Sequence, residues 1–160
     1  MNVLGLMTGA MLIAVLPVAG QAQQKVPQPL VSSIEQRKVV RAANGAETLV
    51  PADRVKPGDV IEYVATYRNT TRQPLSALVA TLPIPLETEY LPGSARPANP
   101  LVSADGQRFG ALPLKRTVKV NGVDTEEALP VRDVRYLRWT PGNLAGGQTV
   151  TYAARVRVVE

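Results

Sequence analysis

The side chains able to do chemistry in this 160-residue chain are few in type. There is no cysteine and no histidine. Disulfides, thiolate metal sites, a Cys nucleophile and a lipid-modified N-terminal Cys are therefore ruled out. So are the usual general base near neutral pH and the usual zinc ligand. What remains is carboxylate chemistry, from Asp59, Glu62, Glu87, Glu89, Asp105, Asp124, Glu126, Glu127 and Asp133. Two such groups flanking a cleft can hydrolyse a glycosidic bond, but no spacing here singles out a pair. The Asp124/Glu126/Glu127 run lacks the alternating Asp/Asn pattern of a calcium loop. No catalytic residue, metal ligand or cofactor is expected, and the chain does not read as an enzyme.

Charge offers binding instead. The formal net charge is +5. Arg155 and Arg157 project from one face of the last strand, and Arg135 and Arg138 lie on the strand before it. If those strands pair, a basic stripe results, suited to an anionic partner such as an envelope glycan or polymer, or an acidic protein. The competing reading is a solvated sheet face salt-bridged to neighbours such as Glu62. Nucleic acid fits poorly, because aromatics are only 4% and acidic residues are spread throughout. The single Trp139, on an alternating strand with Leu137, reads as a core filler rather than a sugar platform. Among the tyrosines Tyr63, Tyr67, Tyr90, Tyr136 and Tyr152, Tyr90 beside Pro92 is the candidate exposed aromatic. Asn69 reads as a turn residue whose side chain satisfies backbone groups. An internal isopeptide would need Lys38 or Lys56 to meet Asn69.

The elements that must position these groups are strands. With 45% apolar residues, the composition is that of one ordinary globular domain. Fourteen prolines and twelve glycines fall between apolar runs and mark frequent turns. The organising stretch is Val55–Pro85. A Lys56-Pro57-Gly58-Asp59 turn launches the Val60–Arg68 strand, with Ile61, Tyr63, Ala65 and Tyr67 on one face. A polar turn, Asn69 to Pro74, leads to the apolar run Leu75–Leu82, and the pattern predicts an antiparallel hairpin. Upstream, Ile34–Arg41 reads as an edge strand, Asn44-Gly45 as a turn and Thr48–Pro51 as a short strand.

Downstream, Glu87–Leu91 reads as a short continuation, and 93–114 is broken by Pro97, Pro100, Gly106, Gly110 and Pro113. Asn121-Gly122 between Val120 and Val123 is the strongest tight-hairpin signal. Val134–Trp139 is a strand, Thr140–Gln148 a glycine-rich connection, and Thr149–Val158 a last strand with Val150, Tyr152, Ala154, Val156 and Val158 inward. No stretch after the N-terminus keeps a helical period. The expectation is an all-β, immunoglobulin-like antiparallel sandwich of seven to nine strands.

The N-terminus reads as an address. Val3–Val18 is uncharged and apolar, and at about 16 residues it is short for a membrane span. Gly20 and Ala22 suit cleavage after Ala22. The predicted organisation is a signal peptide over 1–22, a flexible lead-in over 23–33 and a sandwich over 34–160. The mature chain would be exported, to the periplasm or the cell surface, with no membrane span left after cleavage.

Several of these stretches form an ordered set: Pro57-Gly58-Asp59, a strand, Asn69-Thr70-Thr71, a strand ending Ala80-Thr81-Leu82-Pro83, then Trp139 and Leu144 to Tyr152. In that order they resemble the bacterial conserved repeat domain, also termed domain of unknown function eleven, over roughly 34–160. Thr71 departs from that pattern's usual Gly, Ala80 from its Asp, and Gly146-Gly147 from its Pro-Gly. The resemblance implies an immunoglobulin-like module of an exported or cell-surface protein, without defined catalytic residues. The expected role is a non-enzymatic structural or interaction module of the cell envelope with a protein partner. The alternative is a binding module for an anionic envelope glycan through the arginine face.

Overall fold

The computed structural model describes residues 28–159, so the expected signal peptide and the first part of the lead-in, 23–27, lie outside the described residues. Ten strands follow in order: β1 Leu30–Arg41, β2 Glu47–Pro51, β3 Val60–Asn69, β4 Leu75–Pro83, β5 Thr88–Tyr90, β6 Leu101–Ser103, β7 Lys115–Val120, β8 Val123–Ala128, β9 Tyr136–Leu144 and β10 Thr149–Val158. A single 3-10 turn, Val131–Asp133, precedes β9. The all-β expectation holds, with ten strands where seven to nine were expected. β1 also starts inside the stretch expected to be a loose lead-in. Pro29 and Gln28 are tied to Thr70 there, through Thr70 N–H to the Pro29 carbonyl and Thr70 Oγ1 to the Gln28 carbonyl.

All pairings are antiparallel. The large sheet runs β2-β1-β3-β10-β5, the small one β4-β9-β6, and β7-β8 stands as a two-stranded sheet of its own. The first two face each other across one core. Ile61, Ala65, Tyr90, Tyr152, Ala154 and Val156 come from the large sheet, and Ala80, Leu82, Val102, Leu137 and Trp139 from the small one. Period-2 alternation along β3 and β10 puts their apolar rows on this side. Each fully buried Leu contributes about 1.5–3 kcal/mol. Trp139 is indeed core: its ring lies 5.0 Å from that of Tyr152, and its Nε1 donates to the Pro97 carbonyl at 2.9 Å.

The predicted Val55–Pro85 hairpin is not formed. β3 belongs to the large sheet and β4 to the small one, so Asn69–Pro74 is a crossing between layers. The connection from β9 to β10 crosses back at the same end. Both strands after these turns carry an apolar face, and each finds its cover across the core rather than beside its predecessor. Asn69, fully buried, locks the two crossings together. Its Nδ2 donates to the Gln73, Leu144 and Ala145 carbonyls at 2.8–3.1 Å. Its Oδ1 accepts from the backbone N–H and the hydroxyl of Thr71 at 2.9 and 2.8 Å.

Candidate functional site

The four arginines do not make one stripe. Their strands, β9 and β10, lie in different sheets, because the Ala145–Gln148 link changes layer instead of closing a hairpin. Each guanidinium has its own local environment. Arg135 precedes β9, and its nitrogens donate to the Thr88, Val134 and Arg132 carbonyls at 2.7–3.2 Å. Arg138 lies 3.4 Å over the Phe109 ring, a cation–π contact that also covers the ring. Arg157 is exposed on the outer face of β10. Tyr90 is not an exposed aromatic either. In β5 it pairs with Val156 and is 2% exposed. Three residues of strand suffice to turn Thr88 and Tyr90 inward and Glu89 outward.

Arg155 is the centre of a polar, charge-paired site. Antiparallel register sets Arg155 opposite Glu62 on β3, and Nε meets the Glu62 carboxylate at 2.8 Å. The β1–β2 hairpin brings Glu47 to the same guanidinium, at 2.7 Å from an Nη. Glu47 also pairs with Arg41, its cross-strand partner. The result is a continuous chain of alternating charge, Arg41–Glu47–Arg155–Glu62. Bonds from Arg41 and then Arg155 hold the Glu47 carboxyl below its usual range. The Glu62 and Glu47 carboxylates push the Arg155 guanidinium up. Its backbone N–H is held by Ser94 Oγ at 2.9 Å.

With Gly93, Ser94 and Arg96 these groups line an open cleft of about 350 Å³. Glu47 and Glu62 share this cleft, with Arg155 between them and Arg41 on Glu47, so two guanidiniums balance two carboxylates. The site is an ionic clasp between β2, β3 and β10. The reading of a face salt-bridged to Glu62 describes Arg155 correctly. Glu47 was missed. Its signal was its place six residues after Arg41 across the Asn44-Gly45 turn, which makes the two cross-strand neighbours.

The remaining acidic groups are dispersed. Asp59 accepts from Lys38 Nζ at 2.6 Å and from the Lys56 N–H at 3.0 Å. Those bonds, Lys38 first, lower its pKa. Lys38 is thereby engaged and pairs with Ile61, whereas Asn69 lies opposite Leu30 at the far end of β3, so no Lys38–Asn69 isopeptide can form. Asp105 accepts from the Arg108 and Gln107 N–H groups and the Ser103 hydroxyl, which lower its pKa to about 2. Asp124, Glu126 and Glu127 sit on the β7–β8 arm, facing Lys119, Lys115 and Arg116. Among the described residues no three acidic side chains converge as a metal site would need. A second cleft, of about 290 Å³, is lined by small and apolar residues around Ala95, Pro100 and Leu112.

No helix among the described residues is long and apolar enough to cross a membrane. The fold and site together define an all-β protein of two facing antiparallel sheets with a projecting hairpin. Comparison with family models, with curated proteins and with solved structures finds no match for the chain.

Proposed function

We propose that this chain is a non-enzymatic interaction module with an immunoglobulin-like arrangement of its two sheets, exported to the bacterial envelope behind a cleaved N-terminal signal. The observation that carries the reading is the β7–β8 arm. Among the described residues its two strands pair only with each other, and nearly every residue of both is exposed. Val120 and Val123 at its tip are 51% and 65% exposed. A two-stranded ribbon of this kind is marginal alone and supports no part of the core. Its shape serves contact with another chain. The acidic pair that shares a cleft, Glu47 and Glu62, supports the same reading, since Arg155 engages both. The ordered resemblance to conserved repeat domains supports export and a scaffolding role.

The test is a photo-reactive residue placed at Val123 in the intact cell. Discrete adducts from the tip, absent when the probe sits at Gly45, are expected. Turnover of a substrate by the purified chain would refute the reading. The alternative, an anionic glycan held by basic side chains, retains Arg157 and the net charge but has lost its stripe. Retention on envelope polymers that falls steeply with salt would favour it.

A further inference from the structure

Strand edges attract other chains, and most edges here are guarded. β2 is five residues long and ends in Pro51. β5 and β6 have three residues each. β4 is interrupted by register shifts at Leu75/Leu78 and Leu78/Ala80. The edge of β1 is different. β2 covers only Arg37–Arg41. Leu30–Gln36 is paired with β3 on one side and, among the described residues, with no strand on the other. Its first five residues, Leu-Val-Ser-Ser-Ile, carry no charge and no proline. Val31 and Ile34 are 49% and 51% exposed.

We propose that this edge pairs antiparallel with the same edge of a second copy of the chain, about a two-fold axis at Ser33. The inference deepens the interaction-module reading by naming one partner. Three features select a second copy over an unrelated strand. The free stretch is symmetric about Ser33, so a two-fold pairing uses every position from Leu30 to Gln36 of both copies. The ladder ends where β2 begins: Pro51 already fills the place beside Arg37 that Pro29 of the other copy would reach, so the pairing spans Leu30–Gln36 and no further. Charge is complementary as well. The pairing sets Glu35 of one copy opposite Val31 of the other, and Val31 lies opposite the exposed Arg68 of β3. Glu35 and Arg68 then share one face and one row, two strand spacings or about 10 Å apart at Cα, within reach of their side chains. A ladder this short gives a transient, concentration-dependent dimer.

A chain without cysteine permits a direct test. In a Ser33→Cys variant the two sulfur-bearing residues face each other, and mild oxidation is expected to give a disulfide-linked dimer as the main species. Ser32→Cys, one position away and equally exposed, faces Ile34 of the other copy. Its two cysteines are about 8 Å apart at Cα, and it is expected to stay monomeric. A Val31→Cys/Glu35→Cys double variant is expected to cross-link where neither single variant does, which covers the case of unfavourable geometry at Ser33. Arg68→Glu is expected to weaken cross-linking and the added Glu35→Arg to restore it. Ser33→Cys and the double variant both remaining monomeric, or Ser32→Cys linking equally well, overturns the proposal. If adducts from the β7–β8 tip persist in that event, only self-pairing has failed and the broader reading stands.

Discussion

At the scale of single residues, polar side chains fix backbone at the turns and crossings. Asp105 shows it best. Its carboxylate accepts from two backbone N–H groups and one hydroxyl in the turn after β6. Those donors favour the ionised form, so its pKa falls from 3.8 to about 2 in the folded chain. A depressed carboxylate pKa contributes stability above the unfolded value, which is lost as pH falls through the folded one. Between about pH 4 and pH 2 the wild-type chain is therefore expected to lose stability that Asp105→Asn does not lose. Glu47 and Asp59, also lowered, steepen the same limb in both proteins. The measurement is urea midpoint against pH for the two chains. Parallel curves across that window would show that the turn does not depend on the charge.

At the scale of elements, most strands and the two tight hairpins are legible in the sequence, and the longer-range partners are not. Alternation in Val60–Arg68 and Thr149–Val158, and Asn121-Gly122 between valines, report local conformation, which is what a period-2 pattern encodes. Pairing depends on where an apolar face finds cover, so the β3–β4 hairpin the pattern predicts, and the β9–β10 pairing it leaves open, are both crossings between sheets. β6 escaped because it is three residues flanked by Pro100 and an Asp105 turn. The sequence pattern ends this strand at Trp139, before Pro141-Gly142, yet β9 runs to Leu144. Proline is tolerated there because β6 pairs only with Tyr136–Arg138, so beyond Arg138 β9 has a neighbour on one side alone. The same misreading of partners put Arg135 and Arg138 beside Arg155, while the Arg155–Glu62 pair was accessible from same-face alternation. The autonomous β7–β8 arm yields a prediction of its own. Lys115 and Ala128 are cross-strand partners, and the Leu129 N–H donates to the Leu114 carbonyl just beneath them. Replacing Arg116–Glu127 by Asn-Gly should keep that base closed. It removes side chains that lie outside the core, so the thermal midpoint is expected to move by only a few degrees, on the order of 1 kcal/mol. A thermal melt followed by far-UV circular dichroism checks it, and loss of cooperative folding would mean the arm is part of the core after all.

At the scale of the whole molecule, the two layers are held in register by the core and by the pair of crossings at one end. The crossings touch through backbone. The Asn69 N–H donates to the Gln148 carbonyl and the Gly147 N–H to the Thr71 carbonyl, while the Asn69 side chain bridges both loops. At Gly146 the loops leave no room for a side chain: a Cβ there would overlap the Arg72 carbonyl oxygen and come within 2.9 Å of its Cα. Both atoms are backbone, so a methyl group can be accommodated only by parting the loops and loosening the Asn69 bonds. Gly146→Ala and Asn69→Ala should therefore destabilise through one shared lock, each by about 3 kcal/mol, and the double variant by less than their sum. Asn69→Asp should fall at least as far, since it sets an anion against three carbonyls. Gly45→Ala is the control. Its φ of +83° makes it strained, but nothing lies within 4 Å, so about 1 kcal/mol is expected. Urea unfolding monitored by Trp139, which sits in the core both layers share, reads all five chains on one scale. If Gly146→Ala costs no more than Gly45→Ala, the crossings are mere connections and the core alone sets how the sheets sit.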